Sequence, residues 1–175
     1  MAVKLPVCNF DAKTGILCAN CEARLKKGEI SDADVRASKI MVVLANGGSD
    51  FDRFTLKRAS NVGGSFLLEL EETNMIALRS NPDLRRKLEA AFGGQVWAVA
   101  AEGDDRRFLE DVLYPAKILT VNTVWLPDGR KRTKVIVPAK RSERKIGDFG
   151  RLRDAVRQAR GIELLVETER EDRLR

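Results

Sequence analysis

The sequence predicts an α+β protein of two tandem units, each with its helices packed on one face of a small sheet. Three observations predict it. Apolar residues alternate between helical and strand periodicity in the same order twice, repeating at roughly 65 residues. Asn, Gly and Pro clusters fall at the joints between those stretches. At 175 residues and 43% apolar composition, the chain can fill two small cores. The division read from these patterns is a cysteine-containing segment over 1–30, a first unit over 31–103, a second over 104–168, and a charged tail over 169–175.

The opening segment holds all three cysteines, Cys8, Cys18 and Cys21, and the chain has no histidine. Cys18-Ala-Asn-Cys21 has the spacing at which two thiolates share one Zn²⁺ in a knuckle, with Cys8 returning from a turn marked by Gly15. A fourth ligand would come from Asp11 or Glu22, from water, or from a partner. The alternatives are reduced thiols or a disulfide.

Ser31 with Asp34 marks a helix start, flanked by Ile30 and Val35 at staple positions, and Asn46-Gly47-Gly48 ends that helix near Ala45. Strands are expected at Phe54–Arg58 and Ser65–Glu71, joined around Asn61-Val62-Gly63-Gly64. Asn81 as cap with Pro82 behind it opens a second helix with Leu84, Leu88, Ala91 and Phe92 on one face. Gly93-Gly94 stops it before a strand over Gln95–Ala101.

The second unit starts with a helix over Asp105–Tyr114, ended by Pro115. Val121–Leu126 and Thr133–Val137 form a hairpin across Pro127-Asp128-Gly129. A short polar helix then precedes Gly147-Asp-Phe-Gly150. The helix that follows has Leu152, Ala155, Val156 and Ala159 on one face and Arg153, Arg157 and Arg160 on the other. Gly161 stops it, and Ile162–Glu167 closes the unit as a strand. Trp97 and Trp125 lie in apolar strands and are expected in the core or an interface.

Charge is unevenly placed. The formal net charge is +6, yet Arg130–Arg160 alone holds 12 Lys and Arg against 3 Asp and Glu. That stretch carries about +9 and the remainder about −3, the footprint of a nucleic-acid surface. A solvated helix face is the plainer alternative. No apolar run approaches membrane-spanning length and Met1–Pro6 is too short for a signal peptide, so a soluble, cytoplasmic protein without membrane contact is expected.

Strand, short basic helix, G-x-x-G, longer helix and strand is the order of a KH module, whose loop clamps a nucleic-acid backbone. Tyr114-Pro-Ala-Lys117, the strand ending Val135-Ile-Val-Pro138, and Ile146-Gly147 resemble the second KH domain of NusA. With the opening Cys-x-Phe-Asp-Ala-Lys-Thr-Gly and the Cys-x-x-Cys, the whole chain resembles the short archaeal NusA-like proteins, which consist of two tandem type II KH domains. In the first unit the G-x-x-G falls on Arg79-Ser-Asn-Pro82, which has no glycine, so that unit is read as structural or partner-binding. In the second, Asp148 and Phe149 stand where the family usually has basic or small residues, and Ser142 and Arg144 where it usually has apolar ones.

The resemblance implies an RNA-binding factor in transcription elongation or termination, holding single-stranded RNA at the second unit. Gly147 and Gly150 would let the backbone approach, with free N–H groups of the helix start favouring a phosphate. Lys140, Arg141, Arg144, Lys145, Arg151 and Arg153 would neutralise phosphates, and Ile146 would form an apolar floor. Phe149 would stack on a base, and Asp148 would repel phosphate unless turned away. The alternative is a structural component docked on RNA polymerase or the ribosome, without autonomous RNA recognition. An enzyme is not expected. The chain lacks the histidine that most acid–base schemes use and any Walker-type phosphate loop, and its acidic residues are scattered.

Overall fold

The computed structural model describes residues 3–138 and 148–169, which fall in two compact units, Met1–Glu102 and Gly103–Arg175. Each carries one three-stranded mixed sheet, giving an α+β fold.

The first unit begins with two short helices, α1 (Asn9–Thr14) and α2 (Ala19–Lys26), followed by α3 (Asp32–Asn46). The sequence reading placed no helix before Ser31, because α1 and α2 are too short to establish a periodic pattern. Val3, Val7, Ala12 and Cys21 share one core with Ala37, Met41 and Val42 of α3, so the cysteine segment is part of this unit.

The start of α3 is a complete capping box. The Ser31 amide donates to Asp34 Oδ2 at 2.8 Å, and the Asp34 amide donates to Ser31 Oγ at 3.1 Å. Asp34 Oδ1 also accepts the Ala59 amide at 2.6 Å, tying the helix start to the sheet while only 3% exposed.

Strands β1 (Leu56–Val62) and β2 (Ser65–Leu70) pair antiparallel, and β3 (Val96–Ala100) lies parallel to β2 on its other side. Gly63 and Gly64, at φ +56° and +86°, make the turn by themselves, so β1 runs on through Asn61 and Val62. Between β2 and β3 come α4 (Glu72–Ser80) and α5 (Pro82–Phe92). The sequence reading missed α4: Thr73 and Asn74 are weak helix formers at its start. The buried Asn74 serves tertiary structure instead, accepting the Thr55 amide at 2.9 Å and donating to the Arg53 carbonyl at 3.2 Å.

The second unit runs α6 (Asp105–Leu113), β4 (Thr120–Trp125), β5 (Lys131–Val137), α7 (Phe149–Arg160) and β6 (Glu163–Thr168). β4 and β5 pair antiparallel and β6 lies parallel to β5, the strand order and directions of the first unit. The expected short helix before the G-x-x-G, where α4 stands in the first unit, lies outside the described residues. Thr133, Val135 and Val137 of β5 bury one sheet face, as do Leu152, Ala155 and Val156 of α7 and Phe108, Leu109, Val112 and Leu113 of α6.

Trp97 is 3% exposed and lies in the core, whereas Trp125, expected in the core or an interface, is 70% exposed and so is not in the core. Trp125 ends the edge strand β4, paired only with Lys131. An apolar strand pattern implies burial only where something covers it. No helix among the described residues is long and apolar enough to cross a membrane.

Removing the Asp34 carboxylate takes away a helix cap and leaves the buried Ala59 amide unpaired. Asp34→Ala is expected to destabilise the protein by about 2–4 kcal/mol and Ser31→Ala by about 1 kcal/mol, read as shifts in the urea midpoint. Equal effects would contradict the double role of Asp34.

Candidate nucleic-acid interface and metal centre

The rotation of α7 sets the chemistry of the second unit. With Leu152, Ala155 and Val156 fully buried, Arg153 and Arg157 point outward one turn apart. They rim a groove of about 310 Å³ between α7 and β6, lined also by Asp154, Arg132, Glu163 and the apolar Ile162, Leu164 and Leu165. The parallel register sets Arg132 of β5 opposite Glu163 of β6, and Arg132 Nη2 meets Glu163 Oε1 at 3.0 Å. Among the described residues, Arg153 and Arg157 have no ion-pair partner. Arg160, on the same helix, turns away: it stacks over the Phe108 ring at 5.0 Å and donates to the Gly103 carbonyl at 3.4 Å.

The helix start differs from expectation. Asp148 is the N-cap of α7, and its Oδ1 accepts the amides of Gly150 at 2.8 Å and Arg151 at 3.3 Å. Those N–H groups are therefore spent on an internal carboxylate and are not free for phosphate. The Arg151 guanidinium lies 3.5 Å from the other oxygen of the same carboxylate. Gly150 has a local reason to be glycine, since a Cβ there would stand 3.0 Å from Asp148 Oδ1. Phe149 is half-buried in the first turn of α7. Of the other candidates, Lys140, Arg141, Arg144, Lys145, Ile146 and Gly147 lie outside the described residues.

Sequence reasoning picked out Arg153 but not Arg157 or Arg132 as groove residues. Arg157 was legible as the next turn on the same helix face. Arg132 was not, because only the pairing of β5 with β6 brings it to the groove.

In the first unit the three thiols meet one carboxylate. The ligand atoms of Cys8, Asp11, Cys18 and Cys21 all lie within 4.8 Å of one another, an arrangement that can hold a metal ion. Local structure builds it. Cys8 caps α1, accepting the Asp11 amide at 3.5 Å, and Gly15 at φ +74° ends α1 so that the chain turns back. Cys18 then caps α2, which carries Cys21 one turn inside. Cys8 and Cys18 are at the surface, while Asp11 and Cys21 are each 1% exposed.

Asp11 Oδ2 accepts the Cys18 amide at 3.0 Å, but its buried Oδ1 accepts no N–H or O–H among the described residues. The neighbouring Cys21 thiol, followed by the Cys18 amide, holds the Asp11 carboxyl down to about 2. In return the Asp11 carboxylate, and then burial, push the Cys21 thiol up to about 12. The other candidate for the fourth position, Glu22, is engaged elsewhere, 2.8 Å from Lys26 Nζ, which lowers its carboxyl.

Comparison with known proteins gives no matching family model and no matching curated protein. Among solved structures, the crystal structure of APE1850 aligns at 17% sequence identity over 75% of this chain and 96% of its own, with a TM-score of 0.48.

Burial separates the three thiols. In the reduced, metal-free protein, Cys8 and Cys18 are expected to react quickly with an aromatic disulfide reagent near neutral pH. Cys21 is expected to react at least about tenfold more slowly, because the thiolate is the attacking species and this thiol is both covered and held protonated. Three equal rates would contradict the packing of α1 and α2.

Proposed function

We propose that the chain is an RNA-binding protein whose second unit holds single-stranded RNA along the groove between α7 and β6. It acts there as a binding module rather than an enzyme, in the manner of a NusA-like transcription elongation or termination factor. The observation that carries this is the pair Arg153 and Arg157, unpaired among the described residues and set over a groove whose accessible apolar wall is the half-buried Leu165. Two guanidinium groups one helical turn apart suit successive phosphates, and the half-buried Leu165 beside them suits the edge of a base. The shared order of elements and strand directions in the two units is consistent with a tandem type II KH arrangement.

In this reading the phosphate anchor sits on flanking arginines and not on the helix start, where Asp148 already occupies the amides. The cysteine cluster of the first unit takes Zn²⁺, which thiolates favour over harder divalent ions.

A second reading has its own support. Phe10 and Ile16, on the cysteine segment, are 68% and 72% exposed, as a docking element on RNA polymerase or the ribosome would be. Salt-stable association with such a particle, with no affinity for free oligonucleotide, would favour it.

Fluorescence anisotropy with a labelled single-stranded RNA, run across a salt series, tests the groove. The double variant Arg153→Glu, Arg157→Glu is expected to weaken binding by roughly tenfold or more and to flatten the log–log salt slope by about 1.4, since each neutralised phosphate contributes about 0.7. Unchanged affinity and slope would overturn the assignment. Asp148→Asn keeps a good cap and removes a negative charge from the approach. It is expected to leave stability within about 0.5 kcal/mol while tightening RNA binding several-fold. Loss of binding in that variant would mean that the carboxylate contributes to the interface.

A further inference from the structure

We infer that Asp11 is the fourth metal ligand, completing with Cys8, Cys18 and Cys21 a closed Cys₃Asp site that holds the two short N-terminal helices of the first unit together. The inference rests on the zinc reading above and specifies its ligand set. A buried carboxylate oxygen without a partner is costly, and such groups nearly always have one. Asp11 Oδ1 accepts no N–H or O–H, and its neighbours in the same 4.8 Å cluster are three thiols, weak donors whose protons a shared metal ion would replace.

The other oxygen is already oriented. The Cys18 amide donates to Oδ2 at 3.0 Å, leaving Oδ1 as the free donor to a metal, the outer-shell arrangement that fixes a ligating carboxylate. A three-thiolate set with one oxygen also satisfies the four-coordinate preference of Zn²⁺ without a histidine, which this chain does not have. Four protein ligands leave no open position, so the site is structural and not hydrolytic.

The site has a mechanical consequence. Cys8 and Asp11 belong to the start of α1, and Cys18 and Cys21 to the start of α2. One ion would therefore hold two helices of six and eight residues that are too short to be stable by themselves. Ala12 and Cys21, on those same helices, are core residues of the first unit, so the clamp extends to its packing.

Cobalt(II) titration of the reduced, metal-free full chain tests this, followed by displacement with zinc. The wild type is expected to bind one equivalent with tetrahedral d–d bands and charge-transfer intensity of three thiolates. Asp11→Ala is expected to weaken binding by at least about tenfold. Asp11→Cys is expected to retain binding and raise the charge-transfer intensity by about one third, the signature of a fourth thiolate in the same place. Glu22→Gln is expected to change nothing.

If the wild type takes up neither cobalt nor zinc, the zinc reading itself fails. If it binds both but Asp11→Ala binds equally well, or Asp11→Cys keeps three-thiolate intensity, the zinc reading stands and the role of Asp11 is overturned.

Discussion

Burial of Leu152, Ala155 and Val156 fixes how α7 is rotated, and the surface chemistry of the second unit follows from that rotation. The three side chains are fully buried against the sheet. Turning the helix to swing Arg153 and Arg157 elsewhere would expose them, at a cost of about 1.5–3 kcal/mol for each large apolar side chain. The outward arginines are thus held in place by the inward leucine and valine. Gly161 at φ +66° ends α7 so that β6 can return parallel to β5, which sets the opposite wall of the groove.

The helix start shows how a motif and its surroundings can disagree. A glycine-bracketed turn before a helix suits an anion, yet the residue between the glycines supplies its own. Asp148 takes the amides of Gly150 and Arg151, and Gly150 leaves room for that carboxylate. The spacing of the motif therefore reports a tight helix entry. Among the described residues, the positive charge beside the groove comes from Arg153 and Arg157, one to three turns further along.

Much of the fold was legible because its signals are local. The Ser31–Asp34 cap, the Asn81–Pro82 start, the Gly129 turn and the apolar stripes of α5 and α7 each fall within a few residues of sequence. What was missed depends on distant contacts or on very short elements. Asn74 starts α4 poorly but is held by Thr55 and Arg53 across the unit. Trp125 reads as core or interface from its strand, and its place at the sheet edge takes it out of the core. In the cysteine segment the Cys-x-x-Cys was plain, whereas the choice of Asp11 over Glu22 needed the turn at Gly15 and the burial of one carboxylate beside three thiols.

The first unit gathers three thiols and a buried carboxylate at one point, and the second presents cationic side chains along a sheet edge. The most direct test of the central claim is an amide chemical-shift titration of the full chain with an unstructured RNA oligonucleotide. Shifts are expected to concentrate on Leu152–Arg160 of α7 and Ile162–Leu165 at β6 and to grow as salt is lowered. Shifts confined to the first unit, or none at low salt, would contradict it.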